Sequence, residues 1–201
     1  MWLLVPLGNP GDAYTATRHN LGRLTLMRWM QRHCAPRVQR RLGSGAVYAL
    51  DGDFQALVPG TWMNLSGLAC SEAAAAGWAP ERMILLYDDK DLPLGLGRFR
   101  LEGNDGGHNG VRSVLEALGR RDLARLRLGI GPFRRPLVDF VLEQWTDAEW
   151  AKIDALDAPF ARFMELLRAA GDLCALAKDV NPADFWLPQE PGEALDSTGE
   201  P

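Results

Sequence analysis

The chain has 201 residues, 47% of them hydrophobic and 24% charged, with a formal net charge of −4; this balance excludes a low-complexity or fibrous polymer and suits one domain with a sizeable core. No apolar run approaches the roughly 20 residues needed to span a bilayer, and the opening MWLLVPLGNPG lacks the basic region of a signal peptide, so it reads as a buried strand. Cys34, Cys70 and Cys174 are odd in number and include no C-x-x-C pair, which argues against a structural zinc or disulfide framework and for a reducing, cytoplasmic setting.

In chain order, WLLVPL (2–7) reads as a buried strand, with Pro6 pointing to an edge or a terminus because proline has no N–H to give a ladder. A glycine-rich loop covers 8–19. Leu21, Leu24, Leu26 or Met27, and Met30 fall at helical spacing and predict a helix over 20–33 that Pro36 ends. AVYAL (46–50) and FQALV (54–58) flank Asp51-Gly52-Asp53, a hairpin signal. Ser66 is placed to cap an Ala-rich helix that runs to about Ala76 and is closed by Gly77 and Pro80. MILLY (83–87) reads as a central strand and GRFR (97–100) as another.

Val111, Val114, Leu115 and Leu118 mark one face of a further helix, stopped by Gly119. RLRLGIG (125–131) alternates like a strand, and from about 137 to 178 the pattern is helical, through Phe140, Trp145, Ile153, Phe160 and Leu167. Strands and helices interleave, with one hairpin inserted. The expected fold is α/β: a single domain over 1–180, with a mixed, twisted β-sheet sandwiched between α-helices. Residues 181–201, rich in acids and proline, predict a loose tail.

The net charge hides a split. Residues 13–135 hold eighteen Lys/Arg against eleven Asp/Glu, and the remainder holds four against fifteen. Nearly all of the cations are arginines, whose planar fork suits phosphate. That composition fits either an ordinary solvated surface or a polyanionic partner such as RNA.

Candidate chemistry sits in the loops. LGNPG (7–11) follows the first strand, but G-x-G-x-x-G is absent and Pro10 removes a donor that a phosphate cradle needs, so a turn is the simpler reading. TRHN (17–20) brings His19 to the start of the first helix, and MNLSG (63–67) puts Asn64 at a loop-to-helix junction. YDDKDLP (87–93) places three acids near the end of a buried strand, where one can orient a histidine or several can hold magnesium. GNDGGHNG (103–110) lets backbone approach a ligand just before His108 and Asn109 open a helix.

Two combinations remain open from the residues. In one, His19, Asp88 and His108 hold a divalent metal. In the other, His19 is a general base whose tautomer Asp88 fixes, while Asn9, Asn64 and Asn109 supply neutral donors and acceptors. The second suits hydrolysis of an activated ester by water, since no serine or cysteine stands where a nucleophile would.

The segments GNPG…Y…TRHN, TWMNLSG, DDKDLPLG, GGHNG and RLRLGIG, in this order and spacing, resemble bacterial peptidyl-tRNA hydrolases from about residue 3 to about 180. The resemblance implies a monomeric, cytoplasmic, metal- and cofactor-free α/β enzyme that cleaves the ester joining a peptide to the 3′ end of tRNA, recycling tRNA from stalled translation. It implies His19 as the catalytic base and Asp88 as its partner, with Asn9, Asn64, Asn109 and His108 around the substrate. Tyr14 and Trp62 are the expected stacking aromatics, and Arg100 and Arg127 the groups that grip phosphates of the acceptor arm. Pro6, Lys90, Asp105 and the bulk of Trp62 depart from the family pattern, and none of them removes a catalytic group. The alternative is an RNA-binding relative of the same fold without hydrolysis, against which the intact His19 and Asp88 argue.

Overall fold

Every residue of the first strand, β1 (Trp2–Pro6), is buried. Its side chains divide between two cores, Trp2 and Leu4 on one face and Leu3 and Val5 on the other, as expected of a strand covered on both sides. The computed structural model describes residues 1–133 and 136–188. The other strands are β2 (Arg37–Leu42), β3 (Gly45–Ala49), β4 (Phe54–Pro59), β5 (Met83–Pro93), β6 (Gly97–Arg100) and β7 (Ala124–Gly131). They form one sheet in the order β2-β3-β4-β1-β5-β7-β6. The central strands β4, β1, β5 and β7 pair in parallel, while β2 with β3, β3 with β4, and β6 with β7 pair antiparallel. The expected mixed sheet between helices is the observed one.

Helices α2 (Ser66–Ala75) and α3 (Asn109–Leu118) cover one face, burying Ala69, Ala73, Val111 and Val114 against Leu3, Val5 and Leu85. The larger core on the other face lies under α1 (Leu21–His33), α6 (Asp157–Ala169) and α7 (Leu173–Val180), with Phe160, Phe163 and Leu167 packed near Leu4, Ile84 and Leu126. Between them in sequence, α4 (Leu137–Leu142) and α5 (Asp147–Ala155) replace what the pattern presented as one long helical stretch, and Trp145 lies in the break.

Three local expectations change, and one strand, β2, was not anticipated. Pro6 does not mark an edge: β1 is central, and Pro6 is its last residue, opposite Leu86, where the Leu7 N–H takes over by donating to Leu86 O at 2.9 Å. Ser66 does not cap α2. The helix is entered through a 3₁₀ turn, Met63–Leu65, and the Ser66 hydroxyl donates to Met63 O at 2.8 Å. β2 had no apolar alternation to announce it, since RVQRRL is exposed along nearly its whole length. The chain also stays packed past residue 180. The Asn181 amide exchanges two hydrogen bonds with the Phe99 backbone, at 2.8 and 3.0 Å, and Trp186 is buried where Gly97 leaves room: a Cβ there would lie 2.5 Å from its ring. The remainder of the expected tail, 189–201, lies outside the described residues, as do Arg134 and Arg135.

Candidate active site

Ligand sites of open α/β sheets lie beyond the carboxyl ends of parallel strands. Here the loop after β1, the 3₁₀ turn before α2, the outer half of β5 and the glycine loop before α3 converge around a cavity of about 630 Å³. The acids of DDKD lie within β5 rather than beyond it, so Asp88 is carried by a strand paired on both sides.

At the cavity floor Asp88 binds two imidazoles. His19 Nδ1 lies 2.9 Å from Asp88 Oδ1 and 3.2 Å from Oδ2, and His108 Nε2 lies 3.0 Å from Oδ1. The rings are tilted by 54° to each other, with centroids 4.7 Å apart. His108 is the N-cap of α3, and its Nδ1 accepts the Val111 N–H at 3.2 Å. A nitrogen that accepts carries no proton, so the His108 proton sits on Nε2 and is donated to Asp88. His19 donates through Nδ1, which leaves its Nε2 with a lone pair and no hydrogen bond among the described residues.

Burial pulls the His19 imidazolium down, but the Asp88 charge and hydrogen bond outweigh it, and its pKa is raised. For Asp88 burial acts the other way, yet the two imidazoles more than reverse it and hold the carboxylate ionised far below its usual range.

The metal alternative meets an obstacle in this arrangement of hydrogen bonds. The ligand atoms of His19, Asp88 and His108 lie within 4.8 Å of one another, but the nitrogen His108 turns towards Asp88 is the protonated one. A metal there would require an imidazolate, because Nδ1 is already held by the Val111 N–H. The other acids are also engaged. Asp89 pairs with Arg127 and accepts the Asp91 N–H, and Asp91 is bound by Lys90.

Asn9, Asn64 and Asn109 all line the cavity. Asn9 is buried and fixed: its Oδ1 accepts the Met63 N–H at 2.9 Å, so its Nδ2 donors remain for a ligand. What fixes the Asn9 backbone is Asn20, whose amide accepts the Asn9 N–H at 2.8 Å and donates to Asn9 O at 2.9 Å. Sequence reading assigned Asn20 no role, although it adjoins His19. Tyr14 and Trp62 pack edge to face at 5.4 Å, but neither lines the cavity. Trp62 is half exposed beside the turn that carries Asn64. Asp105 Oδ1 accepts the Gly107 N–H at 2.6 Å and lies 3.4 Å from Arg112 Nη2.

Arg100 and Arg127 both line the cavity. The register of β6 on β7 sets Arg98 opposite Arg127 and Arg100 opposite Arg125. Like charges directly across a ladder repel, and burial together with Arg98 and Arg127 lowers the Arg100 pKa. Arg125, also missed from sequence, is buried and donates to main-chain oxygens of Leu123, Asn104 and Arg121, at 3.0 to 3.1 Å, and it also bears on the Tyr87 hydroxyl. It thereby ties down the glycine loop through Asn104.

Residues 3–185 match the family model described as peptidyl-tRNA hydrolase. The peptidyl-tRNA hydrolase of Chloroflexus aggregans is 40% identical over 190 residues, covering 90% of this chain and 100% of its own. That of Thermotoga petrophila is 36% identical over 172 residues, covering 84% of this chain and 91% of its own. Among solved structures, a peptidyl-tRNA hydrolase from Acinetobacter baumannii superposes with a TM-score of 0.81 at 26% identity, covering 94% of this chain and 97% of that one.

Proposed function

The chain belongs to the peptidyl-tRNA hydrolase family, and from that membership we propose that His19 drives water onto the ester between a peptide and the 3′ end of tRNA while Asp88 holds the imidazole. The enzyme is a carboxylic ester hydrolase acting on peptidyl-tRNA. His19 Nε2 takes a proton from water as the oxygen attacks the ester carbonyl. The imidazolium that forms is stabilised by Asp88. The tetrahedral intermediate then expels the ribose oxygen, which recovers the proton from Nε2, leaving free tRNA and a peptide acid that ionises. Asn9, Asn64 and Asn109 act as neutral donors to the carbonyl oxygen and as acceptors for water, adding no charge that would compete with the developing oxyanion.

His108 serves the same carboxylate from the other side. Tyr14 and Trp62, paired edge to face outside the cavity lining, offer ring surface for a base or a peptide group. Arg100 and Arg127 meet the acceptor arm, whose phosphates would relieve the repulsion across β6 and β7. The reading places the reaction in the cytoplasm with one chain as the working unit. No helix among the described residues is long and apolar enough to cross a membrane.

The observation that carries the proposal is the 2.9 Å contact of His19 Nδ1 with a buried, ionised Asp88, which leaves Nε2 free at the cavity. The test is release of peptide from peptidyl-tRNA by the wild type and by His19→Ala. General-base loss lowers the rate by roughly 10²- to 10⁴-fold. Equal rates would remove His19 as the base.

A further inference from the structure

The residue before the base is a buried arginine, and all of its partners lie more than a hundred positions away. Arg18 Nη2 binds both Glu149 oxygens, at 2.8 and 2.9 Å; Nη1 donates to Gln144 O at 3.2 Å and lies 3.2 Å from Glu143 Oε2. Its guanidinium sits over Phe140 at 4.9 Å and Trp145 at 5.1 Å. The backbone joins in: the Arg18 N–H donates to Glu143 O at 3.2 Å, and Thr17 bridges to Gln144.

These contacts secure a short helix whose other anchorage is the packing of Phe140 on Phe133 and of half-buried Val141 on the core. α4 buries a single side chain, Phe140, which is the ring under the guanidinium, and the helix packs chiefly on the 3₁₀ turn Arg18–Asn20. Its other apolar residues, Leu137, Val138, Val141 and Leu142, line the cavity. Val138 is 66% exposed and Leu142 40%. The cavity thus has a polar side of asparagines and glycines and an apolar wall that rests on the turn carrying His19.

We infer that Arg18 is a positioning residue that fixes this apolar wall at a set distance from the His19 imidazole, and that the wall takes apolar side chains of the peptide beyond the esterified residue. The inference rests on the ester-hydrolysis reading for its ligand, though not for the mechanical link. Lysine at this position keeps the charge but cannot reach Glu149 and Gln144 O with two separate nitrogens, and it loses the stacking between two rings.

The experiment pairs hydrogen exchange with kinetics on Arg18→Lys, Arg18→Met and the surface variant Val138→Ser. Amide exchange over 137–149 rises in both Arg18 variants while peptides from the sheet and α1 keep wild-type protection, and Lys is milder than Met. For a tRNA carrying an N-acetylated tripeptide of leucines, KM rises about tenfold and kcat changes less than about threefold, while N-acetylglycyl-tRNA is handled as by the wild type. The acid limb of the pH–rate profile stays in place. Val138→Ser reproduces the KM effect with exchange unchanged.

Exchange rising throughout the chain would reduce Arg18 to a folding residue and overturn the proposal. So would equal losses on the leucine and glycine substrates, or a shifted acid limb. A wild type that hydrolyses neither substrate sinks the reading of the reaction and with it the ligand assigned to the wall; the exchange result then decides the mechanical link alone.

Discussion

Asp88 Oδ1 accepts from two imidazoles at once, and the two do different work. His108 accepts the Val111 N–H at Nδ1 and turns Nε2 to the carboxylate, so its part is to hold Asp88 in place. His19 must lose its Nε2 proton before it can act, and its pKa is raised because Asp88 outweighs burial. Activity should therefore rise with pH through a midpoint above the ordinary imidazole value of about 6.5. Asp88→Asn removes the raising charge and leaves the burial, so the midpoint should fall, while the rate drops by roughly 10²- to 10⁴-fold because an amide does not enforce the tautomer. A pH–rate profile of the two proteins decides it, and a midpoint that stays put would mean that Asp88 does not set the base.

The same charges act on stability. The depressed Asp88 contributes above its unfolded pKa, about 3.9, and the raised His19 contributes fully below about 6.5, so the Tm gap between wild type and Asp88→Asn should be widest between those values. His19 and His108 stood out in the sequence because each adjoins an asparagine in a loop that opens a helix, and Asp88 because it lies near the end of a buried strand. Arg18 and Asn20, flanking His19, did not, because their meaning lies in partners up to 131 residues away.

Elements bring the pair together through one close approach. α1 starts two residues after His19, and β5 delivers Asp88. They meet at Gly22, where a Cβ would stand 2.3 Å from Leu86 O and 2.7 Å from Tyr87 N. Gly22→Ala must push the helix off the strand or distort both, and the displacement falls on the two residues whose distance matters most. The variant should lose about 1–3 kcal/mol of stability, as overpacked sites do. Its folded fraction should also lose activity well beyond the stability loss, since a shift near 1 Å at a reacting group costs about 10²-fold. Denaturant melts read the first and turnover at a temperature far below Tm the second; full activity would show that α1 and β5 can separate without moving His19. Elements with a strong period or a turn signal were legible: α1, α3, the β3–β4 hairpin, β5 and β7. β2 was not, because an edge strand facing solvent on both sides needs no apolar alternation, and α4 merged with α5 because both are short and share a run of apolar residues.

At the scale of the molecule, the arginine excess was legible but overstated. Arg18, Arg28, Arg32, Arg112, Arg120, Arg127 and Arg168 are ion-paired, and Arg125 is enclosed by carbonyls. Composition counts every one of these as available to a polyanion. The arginines of β6 differ: Arg98 and Arg100 have no carboxylate partner among the described residues and face Arg127 and Arg125 across the ladder, beside the cavity. Arg37 and Arg41 are exposed too, but on β2, at the opposite edge of a seven-stranded sheet. If the acceptor arm lies along the β6–β7 edge, removing one phosphate contact should lower the steepness of log affinity against log salt by about 0.9 for a duplex contact. Arg100→Ala should show that full change and weaker tRNA binding at every salt concentration. Arg127→Ala should flatten the slope as well, but with a smaller affinity loss, because it also frees Asp89 from a pair that a phosphate would have to displace. Arg37→Ala should leave the slope as it is. Binding titrations of a catalytically inactive His19→Ala background against tRNA from low to moderate salt measure all three. A slope that responds to Arg37 and not to Arg100 would put the RNA on the other edge of the sheet.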